Sequence, residues 1–305
     1  MSTRRWWLIG GAAGLVAVAA GLWIWQSAGR TPTAEEAALG YLRALEAGDP
    51  VAVEATGVDV SPEALEAFAG ATDHLEHAEV TSVSADDSGG AGDATATIEV
   101  SFRLGGEEHA AELSLVPVDG RWTVDASGLG TVTATTTVGS FVAVGETTVP
   151  AGRKTALLPA AYTLSAAPAG LLDGRSPLAV LPGEDAEVAV EASILPEAIA
   201  AAQQQLDEHL AGCTASAAAP PEGCGITIPW GTEFRAASEF RYRVEQLPTI
   251  ALAGTGFTAD GGVLVATVTG TGQDGAARTA TYRTESWSVR GAVSFTGTGL
   301  VLTAW

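Results

Sequence analysis

The feature that most constrains this chain is an uncharged apolar stretch near its start, residues 6–25, which reads WWLIGGAAGLVAVAAGLWIW. A helix of this length is about 30 Å long, which matches the hydrocarbon thickness of a bilayer. Indole rings favour the membrane–water interface, and tryptophans lie at both ends of the stretch: Trp6, Trp7, Trp23 and Trp25. The stretch therefore predicts a transmembrane anchor in contact with the lipid bilayer.

The flanks of this stretch predict its orientation. Arg4 and Arg5 precede it, so the positive-inside rule makes residues 1–5 a cytoplasmic tail and places the chain outside from the linker 26–32 onward. A cleaved signal peptide is the alternative, because Ser27-Ala28-Gly29 supplies small residues for cleavage. The apolar run exceeds the roughly 7–15 residues of a signal core, which favours an uncleaved anchor in the cell membrane.

The anchor also carries a row of small residues on one helix face. The first two form a Gly-x-x-x-Gly pair, which lets two helices approach closely: the row is Gly10, Gly14, Ala17 and Gly21. This row suggests a homodimer or a partner within the membrane. The abundance of glycine and alanine in membrane helices explains the same pattern without any partner.

The chain is strongly acidic, with 36 acidic and 15 basic residues and a formal net charge of −21. All of the acidic residues follow the apolar stretch. A negative field of this kind repels nucleic acid and other polyanions. We therefore expect no nucleic-acid partner.

The two cysteines of the chain, Cys213 and Cys224, are eleven residues apart. In a segment outside the cytoplasm, such a pair predicts a structural disulfide. A redox-active pair would favour Cys-x-x-Cys spacing.

Two helices are predicted after the linker. Thr33 and Glu36 have the spacing of a capping box, and apolar residues follow at helical spacing as far as Gly48-Asp49-Pro50. Ser61-Pro62 then supplies a cap and a first-turn proline for a second helix.

From about Ala78 the apolar period changes to two, which predicts strands joined by a hairpin at Asp119-Gly120. Residues 37–49 (AALGYLRALEAGD) and 120–125 (GRWTVD) resemble the opening helix and a closing ribbon of the nuclear-transport-factor-two-like superfamily. The resemblance implies a cone-like α+β domain over 33–127, with a curved antiparallel sheet around a conical pocket. It implies no particular reaction.

Residues 128–192 are rich in Thr, Val, Ala, Gly and Pro, which predicts a small all-β module. The segment 159–165 (PAAYTLS) resembles the core of PEGA-type β modules, with Ala160 in the place of the expected glycine.

Residues 193–305 predict a third domain that contains the disulfide. Pro196 begins a helix with a thin apolar stripe, and Asp260-Gly261 and Asp274-Gly275 predict hairpins between antiparallel strands. The expected fold class is therefore α+β. An N-terminal transmembrane helix precedes a cone-like α+β domain, a small all-β module and a C-terminal domain that combines a helix with an antiparallel sheet.

Motifs for catalysis and cofactors are scarce. There is no Gly-x-Ser-x-Gly elbow and no phosphate loop, so we predict no enzyme and no cofactor. His74 and His77 have helical metal-ligand spacing but too few partners. The aspartates between Asp86 and Asp93 lack the calcium-loop pattern. We nominate no catalytic or metal-binding residue.

The function hypothesis is a single-pass, extracytoplasmic binding or scaffolding protein of the bacterial cell envelope. Two alternatives stay open. The first is a lyase or isomerase that uses the conical pocket, where Tyr41 and Asp125 supply the residue types for acid–base chemistry. The second is an accessory subunit of a membrane complex.

Overall fold

The computed structural model describes residues 32–86 and 94–305. Within these residues, no helix is both long enough and apolar enough to cross a membrane. The predicted anchor 6–25 and residues 87–93 lie outside them. So do the predicted membrane-interface residues, Arg4, Arg5, Trp6, Trp7, Trp23 and Trp25, and the predicted helix-packing row, Gly10, Gly14, Ala17 and Gly21.

The predicted α+β fold class is wrong, because the described residues are mainly β. They form eighteen strands and only four α-helices. The middle segment alone contributes nine strands, and two strands near the end run for 17 and 19 residues. The runs of threonine and valine between glycines did predict strands there. The fold class was wrong because it gave the few helices the same weight as the strands, which form most of the described residues.

The chain divides into two compact units, and the first comprises the described residues up to Asp59 together with Leu75–Gly128. Helices α1 (Ala34–Ala47) and α2 (Pro50–Ala55) precede an antiparallel sheet whose strands follow one another in chain order. Its strands are β1 (Glu76–Asp86), β2 (Thr95–Leu104), β3 (Glu107–Val118) and β4 (Arg121–Val124). Helix α1 contacts all four of them.

Local sequence signals define both ends of α1. The Thr33 hydroxyl accepts the Glu36 N–H at 3.2 Å, and the Glu36 carboxylate accepts the Thr33 N–H at 2.9 Å. This confirms the predicted capping box. Gly48 ends the helix in the left-handed conformation (φ 61°), where it donates to the carbonyls of the last turn.

The second unit comprises Val60–His74 and Leu129–Trp305. Helix α3 (Pro62–Ala69) belongs to it and packs on strands of the middle segment. The predicted domain bounds 33–127, 128–192 and 193–305 stay predictions.

Two sheets of the middle segment pack face to face through alternating buried side chains. One has the order β11-β9-β6-β7, and the other has the order β12-β5-β8 with β12 parallel to β5. A small ribbon pairs β10 with β13. The strands are β5 (Gly130–Thr136), β6 (Phe141–Val144), β7 (Thr147–Pro150), β8 (Lys154–Leu157), β9 (Ala160–Ala167), β10 (Leu172–Asp173), β11 (Arg175–Val180), β12 (Asp185–Val190) and β13 (Ser193–Ile194).

The last part of the second unit is helix α4 (Pro196–Cys213) on a five-stranded antiparallel sheet. Strand β16 pairs with β17 along most of its length, β18 pairs only with β17, and β15 pairs only with β16. The strands are β14 (Phe234–Gln246), β15 (Thr249–Ala253), β16 (Gly256–Gly272), β17 (Ala277–Phe295) and β18 (Leu300–Ala304).

Two hairpin predictions in this sheet had different outcomes. Asp274-Gly275 does lie between β16 and β17, as predicted. Asp260-Gly261 does not form a hairpin, because β16 continues through it with a shift in register. The turn lies instead at Gly254 (φ 58°), where β15 meets β16.

Candidate functional site

The predicted conical pocket of the first unit is filled by side chains. Tyr41 is fully buried, and its hydroxyl donates to the Gly128 carbonyl at 2.6 Å. Apolar residues of α1 and of the sheet in the same unit are each at most 1% exposed: Ala38, Leu42, Leu45, Ile98, Val100, Leu113 and Leu115. Asp125 accepts the Ser127 N–H at 2.8 Å and so serves a turn. The two residue types available for acid–base chemistry therefore have structural roles.

The two histidines with helical spacing do not lie on a helix. His74 follows a bend, where its ring contacts the Phe68 ring edge-on at 4.9 Å between centroids. His77 lies in β1 with φ at 53°, and its side chain is exposed. The spacing therefore does not create the chelating pair that a helix would.

An open groove lies instead on the outer side of α1 in the first unit. Its volume is about 390 Å³. The exposed face of α1, the end of α2 and the β3–β4 hairpin line it, through residues that include Glu36, Gly40, Thr56, Val118, Arg121 and Trp122. We call this the Trp122 groove.

Small residues and a tight turn create the Trp122 groove. The Asp119-Gly120 hairpin has φ values of 50° and 76°, which confirms the predicted turn and places Trp122 opposite Pro117. A Cβ added at Gly40 would meet no atom within 4 Å. The missing side chain therefore leaves space on α1 that a bulkier residue would occupy.

The polar groups at the Trp122 groove are of mixed charge. Glu36 is held by the capping box of α1. Within the described residues, Arg121 forms no ion pair, and the half-buried Trp122 has no acceptor for its indole N–H. The groove thus presents an aromatic surface, a free indole donor and a cation. These suit binding rather than acid–base chemistry.

A second cleft of about 600 Å³ lies at one end of the same sheet. It contains imidazole and carboxylate groups, and the His109 ring stacks on Phe102 at 5.7 Å between centroids. His77, Glu79 and Glu108 line the cleft but are exposed. In the described part of the chain, the metal-compatible cluster is found elsewhere, around Cys213. The second cleft therefore offers no assembled site.

The predicted disulfide is confirmed in the second unit. Cys213 and Cys224 are bonded, with their Cα atoms 5.8 Å apart, and both residues are buried. The Cys224 carbonyl accepts the indole N–H of Trp287 at 2.8 Å. At Gly225 (φ 62°), a Cβ would overlap the carbonyl oxygen of Ser288, so only glycine allows the loop to approach β17 so closely.

Burial raises the pKa of three tyrosines of the second unit, Tyr162, Tyr242 and Tyr282, and the surroundings of Tyr162 show its role. Tyr162 is almost completely buried, and its hydroxyl donates to the Leu158 carbonyl four residues earlier at 2.6 Å. This contact fixes the turn into β9, as a tyrosine corner does in β-sandwiches. Tyr242 and Tyr282 both pack against the hydrophobic cluster of Phe234, Phe240 and Val268. All three tyrosines therefore have a place in packing.

No protein-family model, curated protein or solved structure matches this chain.

Sequence reasoning missed the Trp122 groove, although it had singled out residues 120–125. The available signal was a tryptophan beside an arginine in a short edge strand, directly after a tight turn. Nothing local indicated that Gly40 of α1 would line the same groove as this tryptophan, because that arrangement depends on how the helix lies on the sheet.

Proposed function

We propose that this chain is an extracytoplasmic protein of the bacterial cell envelope, attached to the membrane through residues 6–25, which binds a partner protein in the Trp122 groove. The observation that carries the proposal is the half-buried Trp122, which has a free indole donor and lies beside an unpaired Arg121. Tryptophan and arginine are the residue types most enriched at the energetic centres of protein interfaces.

The charge of the chain indicates what the partner contributes. Arg121 lies on a strongly acidic protein, and no described acid pairs with it. A partner carboxylate would complete a charge-assisted hydrogen bond with this guanidinium. We therefore expect the partner to place an apolar side chain on Trp122 and an acidic one beside Arg121. Another subunit of a membrane complex would be a partner of this kind.

The disulfide supports the location. Such bonds persist in oxidising surroundings outside the cytoplasm and are rare in cytosolic proteins. A reporter enzyme that works only outside the cytoplasm should therefore be active when it is fused after Trp305. A reporter that works only in the cytoplasm should be inactive at the same position. Activity of the cytoplasmic reporter would contradict the proposed location. It would not bear on the proposal that the Trp122 groove binds a partner protein.

Site-specific crosslinking in intact cells tests the binding itself. A photoreactive residue at Val118, which lines the groove and is 49% exposed, should give one discrete adduct. The same residue at Val301, which is 50% exposed in the second unit, is the matched control.

A charge reversal then tests the role of the cation. Arg121→Glu should abolish the Val118 adduct, whereas Arg153→Glu, at an exposed arginine of the second unit, should not. An adduct that survives Arg121→Glu would contradict the proposed mode of binding.

A further inference from the structure

The strongest unassigned cluster of metal-ligating groups lies at the disulfide. The two sulfur atoms and a ring nitrogen of His209 all lie within 4.8 Å of one another. His209 lies one helical turn before Cys213 on α4, so both side chains extend from the same face of the helix. His209 Nε2 is also 3.4 Å from the Gly223 carbonyl oxygen, in the loop that carries Cys224.

This donor set has the composition of a zinc site. Two thiolates and an imidazole bind Zn²⁺ at about 2.3 Å and about 2.0–2.1 Å, with a fourth position left for water. Tetrahedral bonds of these lengths put the ligand atoms about 3.5–3.8 Å apart. The observed separations therefore need only small side-chain movements once the bond between the sulfurs is broken.

We propose that, when its disulfide is reduced, this chain binds one Zn²⁺ through Cys213, Cys224 and His209. A dithiol reductant transfers two electrons and two protons to the disulfide and becomes a cyclic disulfide itself. Zn²⁺ then displaces both thiol protons, so that two thiolates and a neutral imidazole hold the ion. The oxidised and the zinc-bound states exclude each other, because they use the same sulfur atoms.

The residues around the proposed zinc site leave it open to solvent and connect it to the packing of the second unit. His209 is exposed and lines a cleft of about 400 Å³ next to β18, so the fourth position is open to solvent. The ion would join the end of α4 to the Cys224 loop, as the disulfide does. Because the Cys224 carbonyl holds the Trp287 indole, the zinc-bound state would keep the same packing in the reduced protein.

Metal titration of the full-length protein in detergent tests this inference. The protein is reduced with dithiothreitol, which is then removed without air, and Zn²⁺ is added. We expect about one Zn²⁺ and about two released protons per reduced chain, and no binding by the oxidised chain. Co²⁺ in place of Zn²⁺ should give the absorption of thiolate ligands.

A variant pair separates the proposed site from binding by thiols alone. His209→Ala should weaken Zn²⁺ binding by at least about 10-fold, since it removes a ligand at an exposed helical position that tolerates alanine. His77→Ala, at an exposed histidine of the first unit, should bind as the unaltered chain does. Equal affinity of His209→Ala and the unaltered chain would overturn the inference. So would binding by the oxidised protein, or no binding by the reduced one.

Discussion

Helices α1 and α4 both lie on an antiparallel sheet, but different interactions hold them there. Helix α1 has a capping box, a left-handed glycine cap and large buried side chains. Helix α4 begins at Pro196 and has no side-chain cap, because its N-cap residue is Leu195. Three of its five buried residues are small: Ala198, Ala202 and Cys213, beside Leu206 and Leu210. Local sequence thus stabilises the first helix, whereas distant contacts and a covalent bond stabilise the second.

Two glutamines provide part of the distant contacts of α4. Gln203 donates to the Pro248 carbonyl at 3.1 Å and accepts the Ile250 N–H at 2.9 Å. Gln205 makes an equivalent pair of bonds: it donates to the Leu300 carbonyl at 2.9 Å and accepts the Leu302 N–H at 3.2 Å. Each side-chain amide therefore acts as a short extra strand along an unpaired edge, at β15 and at β18.

The two units also differ in how they use a tryptophan that lies in a similar short sequence. Trp287, in SWSV, is 1% exposed, and its indole N–H is bonded to the Cys224 carbonyl. Trp122, in RWTV, is half-buried and has no bonded acceptor among the described residues. Gly262 lies directly beneath Trp287, where a Cβ would come within 3.0 Å of the ring. We infer that one tryptophan serves packing and the other serves binding.

The largest expected effect comes from removing the buried tryptophan. Trp287→Ala should lower the free energy of unfolding of the second unit by about 3–5 kcal/mol, because it leaves a cavity and an unpaired carbonyl. Trp122→Ala should cost about 1 kcal/mol or less. Urea unfolding of the two variants measures the difference, and equal costs would contradict the assigned roles.

The disulfide should have the next largest effect. Cys213→Ser should destabilise the second unit by about 2–4 kcal/mol, the usual cost of losing a native bridge. Hydrogen exchange measured peptide by peptide should show faster exchange in α4 and unchanged exchange in α1, which lies in the other unit. Unchanged exchange throughout α4 would show that the bridge does not hold the helix.

The sequence predicted the features that depend on neighbouring residues, and it missed those that depend on contacts between distant parts of the chain. The capping box at Thr33, the turn at Asp119-Gly120 and the pairing of Cys213 with Cys224 rest on residue type and short spacing, and all three were correct. Asp260-Gly261 had an equally good turn signal, but β16 runs through it because neighbouring strands pair on both sides. The Trp122 groove likewise depends on how separate elements pack.

The glutamine contacts should have a smaller effect. Gln205→Ala removes both bonds to β18 and leaves the Leu302 N–H without its partner, which should cost about 1–2 kcal/mol. Gln204→Ala is the matched control, because Gln204 is exposed and bonds only to Glu208. A comparable loss in both variants would mean that helix propensity, and not the strand edge, matters.

The smallest expected effect on stability lies in the first unit. Thr33→Ala should lower the free energy of unfolding by about 1 kcal/mol through loss of the capping hydroxyl. Thr33→Ser keeps that hydroxyl and should restore most of the stability. If serine is no better than alanine, the cap is not what fixes the start of α1.

The most direct test of the central claim, that the first unit binds a partner through Trp122, is the yield of the Val118 crosslink in intact cells. Trp122→Ala should reduce that yield at least about 10-fold while the protein stays folded and abundant. Trp305→Ala, which removes a tryptophan that is 66% exposed outside the groove, should leave it unchanged. A Val118 adduct that persists in Trp122→Ala at the same yield would contradict the account.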